Sequence, residues 1–376
     1  MVQGQQKEIV SIPRLDVIRA ICFLMVFGTH VFFTDDPAIK AHWFWRAFCS
    51  PLFSNGAVGV NVFFALSGFL ITYLLINEKR SRQRIDVPHF WLRRVLRIWP
   101  LYFTVVLIGF VLFPLAKQAL GLPTGSNGSI WSFLFFYNNL PMAKGFTADS
   151  SMLSVLWSIA VEEQFYLVWP VLLFLLPVRA FPWAFACVVA ISIGFKATAS
   201  TDTLRLWHTF SCMGDLATGG LGACIVASER GLRWVGRWPL SVIIGIHVAW
   251  LLQYLPLAFF GYPAPKVTEP VIFAILSTAI ILYQGFGAPS YLRLPENAAL
   301  VRMGKVSYGL YCLHMVAILP LIQVFQHIGS GGFWTTAVIF PITALVATVV
   351  LALLSFRFLE SPFLRLKDRF SFVTRG

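Results

Sequence analysis

Residues 57–84 read AVGVNVFFALSGFLITYLLINEKRSRQR, and this stretch decides the class of fold. Its first 20 residues, 57–76, contain no charged side chain, whereas four of its last six are lysine or arginine. Twenty residues of α-helix are about 30 Å long, which is the thickness of the hydrocarbon core of a bilayer. The pattern therefore predicts a membrane-spanning helix that ends in a basic cluster at one membrane surface.

The composition extends this prediction to the whole chain. Of its 376 residues, 58% are hydrophobic and 12% are charged, whereas soluble domains carry about 25% charged residues. A soluble protein of this composition would expose a large apolar surface and aggregate. The apolar run at 17–33 lacks a small-residue cleavage site, so we interpret it as a retained first helix and not as a signal peptide.

Prolines, glycines and charge clusters divide the apolar runs into ten predicted membrane helices within a single domain, residues 1–376. The predicted fold class is therefore an all-α integral membrane protein. The ten segments lie at 15–33, 57–76, 99–115, 153–176, 180–196, 205–227, 239–259, 268–286, 305–326 and 333–356.

The basic residues test this division. If the N-terminus is cytoplasmic, 21 of the 29 lysines and arginines fall in cytoplasmic segments, seven in outer segments, and Arg19 inside the first helix. This excess is the positive-inside pattern, and one missed or extra helix would reverse it in every later loop. We therefore predict cytoplasmic termini, at 1–14 and 357–376. The net charge of +13 then faces anionic lipid or an anionic cofactor, and no nucleic-acid partner is expected.

The six cysteines include no C-x-x-C pair, and most of them lie in apolar runs. Their spacing matches neither a zinc site nor a disulfide framework, so we interpret them as small core side chains. No metal is expected.

Ionisable residues inside membrane helices are costly, so each one marks a candidate functional position. Arg19 and His30 are 11 residues apart, which is about 16 Å along one face of the first helix. Glu162, in the fourth predicted helix, lies at a depth similar to that of His30. A histidine and a carboxylate at one depth can act as a base and the group that orients it. A polar contact that only holds the bundle together is the alternative.

A second candidate site is the basic segment RRVLR at 93–97. Arg94 and Arg97 are three residues apart and share a helix face, and Arg93 flanks them. A cluster of guanidinium groups at a bilayer surface suits phosphates. Membrane topology and contact with anionic lipid explain the same charges.

The remaining ionisable residues in the predicted helices carry less weight. Asp215 stands in SCMGDLATGGLGAC, whose small residues indicate close helix packing. His208 lies in the same predicted helix. We interpret His247 as a core or interface histidine.

Six blocks of the chain, in order, resemble the acyltransferase-3 family of integral membrane acyltransferases, and together they cover nearly its whole length. The blocks are RLDVIRAICFLMVFGTH at 14–30, GVNVFFALSGFLIT at 59–72, RRVLRIWPLY at 93–102, LWSIAVEEQFYLVWP at 156–170, MGKVSYGLYCLHMV at 303–316 and FRFLESPFLRL at 356–366. The first block holds the family's spacing of an arginine, ten residues and a histidine, and the third holds its R-x-x-R. Asn61 stands where the family usually has aspartate, which removes a charge at that position.

The resemblance implies a multi-pass enzyme of the plasma (inner) membrane that takes an acyl group, commonly acetyl, from cytoplasmic acyl-CoA. Because the chain ends about 20 residues after its last predicted helix, the resemblance implies the membrane domain alone. The site residues implied by the matching blocks are His30 and Glu162 as a catalytic pair; Arg19, Arg93, Arg94 and Arg97 as ligands of acyl-CoA; Ser67, Trp157, Ser158, Tyr166, Tyr308 and His314 as tunnel or oxyanion groups; and Asp16, Glu163 and Glu360 as supporting residues.

These residues predict O-acyl transfer in which His30, oriented by Glu162, removes the proton of an acceptor hydroxyl. The expected acceptor is a cell-surface or exported glycan, or a lipid-linked sugar, with a small secondary metabolite as the alternative. A proton-coupled transporter would also bury histidines and carboxylates, although the sequence shows no two related halves. A non-catalytic receptor or scaffold is a third hypothesis, and release of free CoA from acetyl-CoA separates the three.

Overall fold

The computed structural model describes residues 12–53, 56–260, 268–288, 291–328 and 332–368. Within these ranges every regular element is helical. The ten longest helices are α1 (Pro13–Val31), α2 (Gly56–Arg82), α3 (Val87–Leu107), α4 (Trp157–Leu175), α5 (Phe181–Thr198), α6 (Thr209–Ala227), α7 (Leu240–Phe260), α8 (Thr268–Phe286), α9 (Ser307–His327) and α10 (Phe340–Ser355). Shorter helices and helical turns connect or extend them, at Pro37–Ala41, Trp45–Cys49, Ser50–Phe53, Ile108–Leu112, Phe113–Ala119, Ile130–Leu134, Asn139–Ala143, Ser151–Ser154, Val178–Ala180, Asp202–Trp207, Glu229–Gly236, Ala298–Lys305, Thr335–Ile339, Phe356–Glu360 and Ser361–Asp368.

Each of the ten predicted segments overlaps one of these long helices. Helix α3 departs most from its prediction, because it begins at Val87 and not near residue 99. The side chain of Asp86 accepts a hydrogen bond from the main-chain N–H of His89 at 3.2 Å, which caps the helix at this earlier point. The arginines of segment 93–97 therefore lie inside α3 and not in the preceding connection.

Helix α6 begins at Thr209, later than predicted. The short helix Asp202–Trp207 ends before it, and His208 caps α6 by accepting the main-chain N–H of Phe210 at 3.2 Å. His208 therefore lies outside α6 itself but within the apolar span Asp202–Ala227, which confirms that it belongs to the sixth predicted membrane segment.

The apolar helices make the chain a multi-pass membrane protein. In the described ranges, seven helices are long and apolar enough to cross a bilayer, and there are eight if Glu229–Gly236 and Leu240–Leu255, which meet at 86°, form one span. Helix α8 adds a shorter apolar stretch, Pro270–Phe286. Helix α1 is not among the seven, and it carries Arg14, Asp16 and Arg19 in its first two turns.

Helix α2 lies at the centre of the packing. Helix α6 runs along it, and α1, α4 and α8 also contact it. Helix α5 packs on the other side of α6, α7 packs on α8, and α9 packs on α10. Helices α1, α3 and α10 each contact α9, so α1, α2, α3, α4 and α9 can enclose a common space.

Glycines allow α2 and α6 to pack in backbone contact. A Cβ atom at Gly68 would overlap the main-chain carbonyl of Leu216, and one at Gly219 would overlap that of Ala65. This geometry confirms the interpretation of the Gly-rich sixth predicted helix as a close packing surface.

We expect Gly68→Ala to lower the thermal unfolding midpoint of the purified protein. The added methyl group must push α2 away from the α6 backbone, and overpacking of this kind costs about 1–3 kcal/mol. The measurement is thermal unfolding in detergent, monitored as the loss of the monodisperse species with temperature. Gly245→Ala is the matched control, since no atom lies within 4 Å of its added Cβ and alanine favours the helix by about 1 kcal/mol. Equal midpoints for Gly68→Ala and the wild type would contradict the packing described here.

The longest connection, between α3 and α4, is fixed by polar contacts at its ends. Lys117 Nζ donates to both carboxylate oxygens of Asp149, at 2.9 and 2.8 Å, and these bonds lower the pKa of Asp149. The side chain of Asn127 donates to the carbonyl of Gly109 at 3.0 Å and accepts the N–H of Ser150 at 2.8 Å. The connection is therefore held against the facing ends of the two helices.

The predicted terminal segments are described only in part. Residues 1–11 and 369–376 lie outside the described ranges. The described start of the predicted C-terminal tail is helical: Phe356–Glu360 extends α10, and Ser361–Asp368 packs against α3.

Candidate functional site

A cavity of about 220 Å³ lies where α1, α2, α3, α4 and α9 meet. Residues from five of the six motif blocks converge on its wall. The predicted site residues found there are Arg19, Ser67, Arg94, Arg97, Ser158, Glu162, Tyr166 and Tyr308. The rest of the wall is largely apolar, with Phe63 and Phe64 of α2 among its members.

Two of the arginines on this wall have no carboxylate partner in the described residues. The guanidinium of Arg94 lies over the rings of Phe90 and Tyr166, 5.3 Å from each centroid. Arg97 forms neither a hydrogen bond nor an ion pair with a described residue. Cation–π contacts hold a guanidinium without using its N–H groups, so both residues keep donors for an anionic ligand.

The other two arginines of the predicted acyl-CoA site are paired. Arg19, on the wall, donates to Asp16 at 2.8 Å, one turn earlier in α1. Arg93 is not on the wall, and its Nη2 lies 3.6 Å from the carboxylate of Glu78 on α2. The structure therefore places Arg19 on the same wall as Arg94 and Arg97, and Arg93 away from it. Asp16, predicted as a supporting residue, contacts Arg19.

Glu162 is held on the wall by two hydroxyl groups in series. The hydroxyl of Tyr166 donates to Glu162 Oε2 at 3.0 Å and lies 2.6 Å from Ser67 Oγ. A tyrosine hydroxyl has one proton, so Ser67 donates to Tyr166 in this arrangement. This series places one carboxylate among the three guanidinium groups of the cavity.

Hydroxyl groups also join α9 to the neighbouring helices. The hydroxyl of Tyr311 donates to the carbonyl of Val155 at 2.9 Å and lies 2.7 Å from Ser158 Oγ. The hydroxyl of Tyr308 donates to the carbonyl of Ile98 at 2.6 Å. The phenol groups of α9 therefore form a hydrogen-bonded side of the cavity.

His30 lies outside the cavity wall, beside a second histidine. The rings of His30 and His314 have centroids 5.1 Å apart and planes 42° apart. His314 is completely buried, and its Nδ1 lies 2.6 Å from the carbonyl oxygen of Tyr311. Tyr311 lines the cavity, its carbonyl contacts His314, and the ring of His314 lies beside that of His30, so these two residues connect the cavity wall with His30.

The predicted contact between His30 and Glu162 is not present in the described residues. Glu162 is bonded to Tyr166, and His30 forms no hydrogen bond with a described residue. Similar depth in two helices does not make those helices neighbours. Helix α1 packs against α2 and α9, whereas α4 packs against α2 and α3. The ring beside His30 is that of His314, which is likewise absent from the predicted tunnel wall.

Three further predicted residues flank the cavity without lining it. Glu163 Oε2 accepts the indole N–H of Trp99 at 3.2 Å. The buried Glu360 accepts the hydroxyl of Ser355 at 3.0 Å. Trp157 packs edge-on against a phenylalanine ring of α2, with centroids 5.9 Å apart. These contacts fit supporting roles, and Trp157, which the sequence predicts in the tunnel, does not line the cavity.

Two other ionisable residues of the membrane helices lie away from the cavity. Asp215 of α6 and Lys196 of α5 are both buried, and these two helices pack against each other. The Nδ1 of His247 lies 2.8 Å from the carbonyl oxygen of Ile243, as expected for a satisfied core or interface histidine.

Tyr311 stands in the fifth motif block, but the sequence alone predicts no role for it. Its spacing carried a usable signal, because it follows Ser307 by four residues and Tyr308 by three. Such residues share one helix face, and all three line the cavity.

Comparison with known proteins identifies the family of the chain. The profile of the family described as an acyltransferase domain matches residues 12–357. Peptidoglycan O-acetyltransferase OatA of Listeria monocytogenes is 28% identical over an alignment of 368 positions, which covers 93% of this chain and 55% of that protein. Acyltransferase MdmB of Streptomyces mycarofaciens is 28% identical over an alignment of 398 positions, gaps included, which covers 96% of this chain and 94% of that protein. O-acetyltransferase OatA of Staphylococcus aureus is 26% identical, and the match covers 93% of this chain and 57% of that protein.

The chain thus spans about half the length of the OatA proteins and nearly all of MdmB. No solved structure matches it. The family profile covers five of the six motif blocks in full. It also includes His30 of α1 and His314 of α9, whose rings lie side by side. The chain therefore belongs to the acyltransferase-3 family of integral membrane acyltransferases.

Proposed function

We propose that this protein transfers an acyl group, with acetyl as the expected group, from acyl-CoA to a hydroxyl of a cell-surface or exported glycan. The observation that carries the proposal is the charge of the cavity: three guanidinium groups and one carboxylate share a small space inside a membrane protein. A charge without a partner is costly in such a place. A polyanionic ligand such as acyl-CoA offsets that cost.

The cavity holds only part of the acyl-CoA molecule. Typical small-molecule pockets have volumes of about 300–1,000 Å³, and this one has about 220 Å³. Arg94 and Arg97 bind phosphate oxygens through the N–H groups that the protein leaves unused. The apolar part of the wall receives the thioester arm. Arg19, held by Asp16, lies in the second turn of α1, 11 residues before His30.

His30 is the proposed general base. It takes the proton of the acceptor hydroxyl while the hydroxyl oxygen attacks the thioester carbonyl carbon. A C–O bond forms, the C–S bond breaks, and the proton passes from His30 to the departing CoA thiolate. General-base catalysis of this type contributes about 10²–10⁴-fold to the rate. Since Tyr311 lines the cavity and His30 does not, we expect the arm to displace Tyr311 from Ser158 before the carbonyl meets His30.

The similar proteins support the glycan class of acceptor. Two of them are named as O-acetyltransferases, one of them for peptidoglycan. MdmB, named only as an acyltransferase, matches over nearly its whole length. A small secondary metabolite, the alternative that the sequence leaves open, is the second candidate acceptor. Both acceptors offer a hydroxyl to the same chemistry.

The membrane topology that we propose has ten spans and cytoplasmic termini in the plasma (inner) membrane. Ten long helices occur in the described residues, and the basic residues favour this orientation. In it, the arginines at the start of α3 face the compartment that holds acyl-CoA, and His30, near the end of α1, lies toward the outer leaflet.

The test is release of free CoA by the purified protein in lipid nanodiscs, supplied with acetyl-CoA and with or without soluble peptidoglycan fragments. We expect thiol release to rise with the fragments and to match the amount of new acetyl ester found by mass spectrometry. Uptake of intact acetyl-CoA into proteoliposomes without thiol release would instead identify a transporter. Binding of acetyl-CoA with neither uptake nor thiol release would identify a receptor or scaffold, and either result overturns the proposal.

A further inference from the structure

The buried ring of His314 has one nitrogen satisfied and one left over. Its Nδ1 lies 2.6 Å from the carbonyl oxygen of Tyr311. A carbonyl oxygen only accepts, so Nδ1 carries the proton, and in the neutral ring Nε2 then holds a lone pair. This Nε2 is buried and has no hydrogen-bond partner among the described residues. A buried polar atom left without a partner costs about 1–3 kcal/mol, so it calls for an explanation.

The rings next to His314 include one group that can donate a hydrogen bond to this lone pair. Three rings surround it: those of Phe23 at 6.4 Å, Tyr311 at 5.8 Å and His30 at 5.1 Å between centroids. Phe23 has no polar atom. The hydroxyl of Tyr311 is bonded to Val155 and Ser158. His30 is left as the donor, since it forms no hydrogen bond with a described residue.

We propose that His314 is the positioning residue of His30. When acyl-CoA is bound, Nε2 of His314 accepts a hydrogen bond from an N–H of His30. This bond directs the other ring nitrogen of His30 toward the acceptor hydroxyl. The series runs from the Tyr311 carbonyl through His314 to His30. Catalytic hydrogen bonds are often long before the substrate binds and tighten afterwards, so a 5.1 Å separation of ring centroids is compatible with this role. The inference rests on the proposed function, in which His30 is the base, and it gives His314 the orienting role that the sequence predicted for Glu162.

Three substitutions separate this role from simple packing. In His314→Gln the amide reaches the place of Nε2 and can still accept from His30. His314→Asn keeps a donor near the Tyr311 carbonyl but leaves the place of Nε2 empty. His314→Phe keeps the ring volume and removes both nitrogens. His247→Asn is the matched control, because His247 makes the same kind of main-chain contact far from the cavity.

The measurement is kcat and KM for acetyl-CoA in the CoA-release assay. We expect His314→Asn and His314→Phe to lower kcat about 10- to 100-fold, the range found when a group that orients a metal-bound imidazole is lost, with KM for acetyl-CoA unchanged. His314→Gln should recover most of the activity, and His247→Asn should match the wild type. If His314→Phe fails to bind acetyl-CoA, the Gln and Asn pair, which differ by one methylene, still decides.

Wild-type kcat for His314→Asn, or equal losses for the Gln and Asn variants, would overturn the inference. A double variant gives a second readout: if His314 acts through His30, adding His314→Asn to His30→Gln should cause no further loss. An active His30→Ala protein would overturn the proposed function itself. An inactive His30→Ala protein together with an active His314→Asn protein would overturn only the inference about His314.

Discussion

Replacement of His30 by alanine is expected to slow acyl transfer about 10²–10⁴-fold, the contribution of a general base. The neighbouring His314 is completely buried, so we do not expect it to replace His30 as the base. Binding of acetyl-CoA should persist, since His30 does not line the cavity. The measurement is the initial rate of ester formation at saturating acetyl-CoA.

The control for this variant is His247→Ala, which removes another membrane-embedded imidazole and should keep the wild-type rate. A His30→Ala protein that binds acetyl-CoA and still forms ester at close to the wild-type rate would remove His30 from the mechanism.

Loss of Arg97 is expected to weaken acetyl-CoA binding about 10- to 100-fold. A hydrogen bond to a charged group contributes about 1.5–3 kcal/mol, and about 1.4 kcal/mol corresponds to a tenfold change in affinity. Arg97→Gln removes the charge from a side chain that has no partner in the described residues, so the protein loses no internal contact there. The measurement is the dissociation constant of acetyl-CoA by calorimetry, at two salt concentrations. The double variant Arg94→Gln/Arg97→Gln should bind more weakly still.

Arg93→Gln is the matched control for the arginine cluster. Arg93 belongs to the same basic segment, but it pairs with Glu78 and is not on the cavity wall. We expect its dissociation constant to stay close to that of the wild type. Equal weakening by Arg93→Gln and Arg97→Gln would show that the whole basic surface attracts the donor, and it would contradict a specific role for the cavity.

The helices could be predicted from the sequence because bilayer thickness fixes how long an uncharged run must be. Helix α8 follows its predicted segment, 268–286, from end to end. Helix α3 does not, because a cluster of arginines before an apolar run favours a connection in a prediction based on uncharged length. Arginines that face a polar cavity can lie inside a helix, and the cap at Asp86 was the local signal that placed the true beginning.

The candidate site was predictable as a set of residues but not as a set of contacts. The motif blocks identified Arg94, Arg97 and Glu162, and the structure gathers all three on one wall. Spacing along a helix gives depth and relative rotation. It does not give the neighbour of a helix in the bundle, which depends on how all the helices pack. For this reason His30 was paired with Glu162, although α9 places His314 beside it.

The measurement that tests the account most directly is a cryo-electron microscopy structure with a non-hydrolysable thioether analogue of acetyl-CoA bound. We expect phosphate density within hydrogen-bond distance of Arg94 and Arg97, a displaced Tyr311 side chain, and the acyl end of the analogue close to the His30 ring. An analogue bound elsewhere, or one in the cavity with Tyr311 still closed over an inaccessible His30, would contradict it.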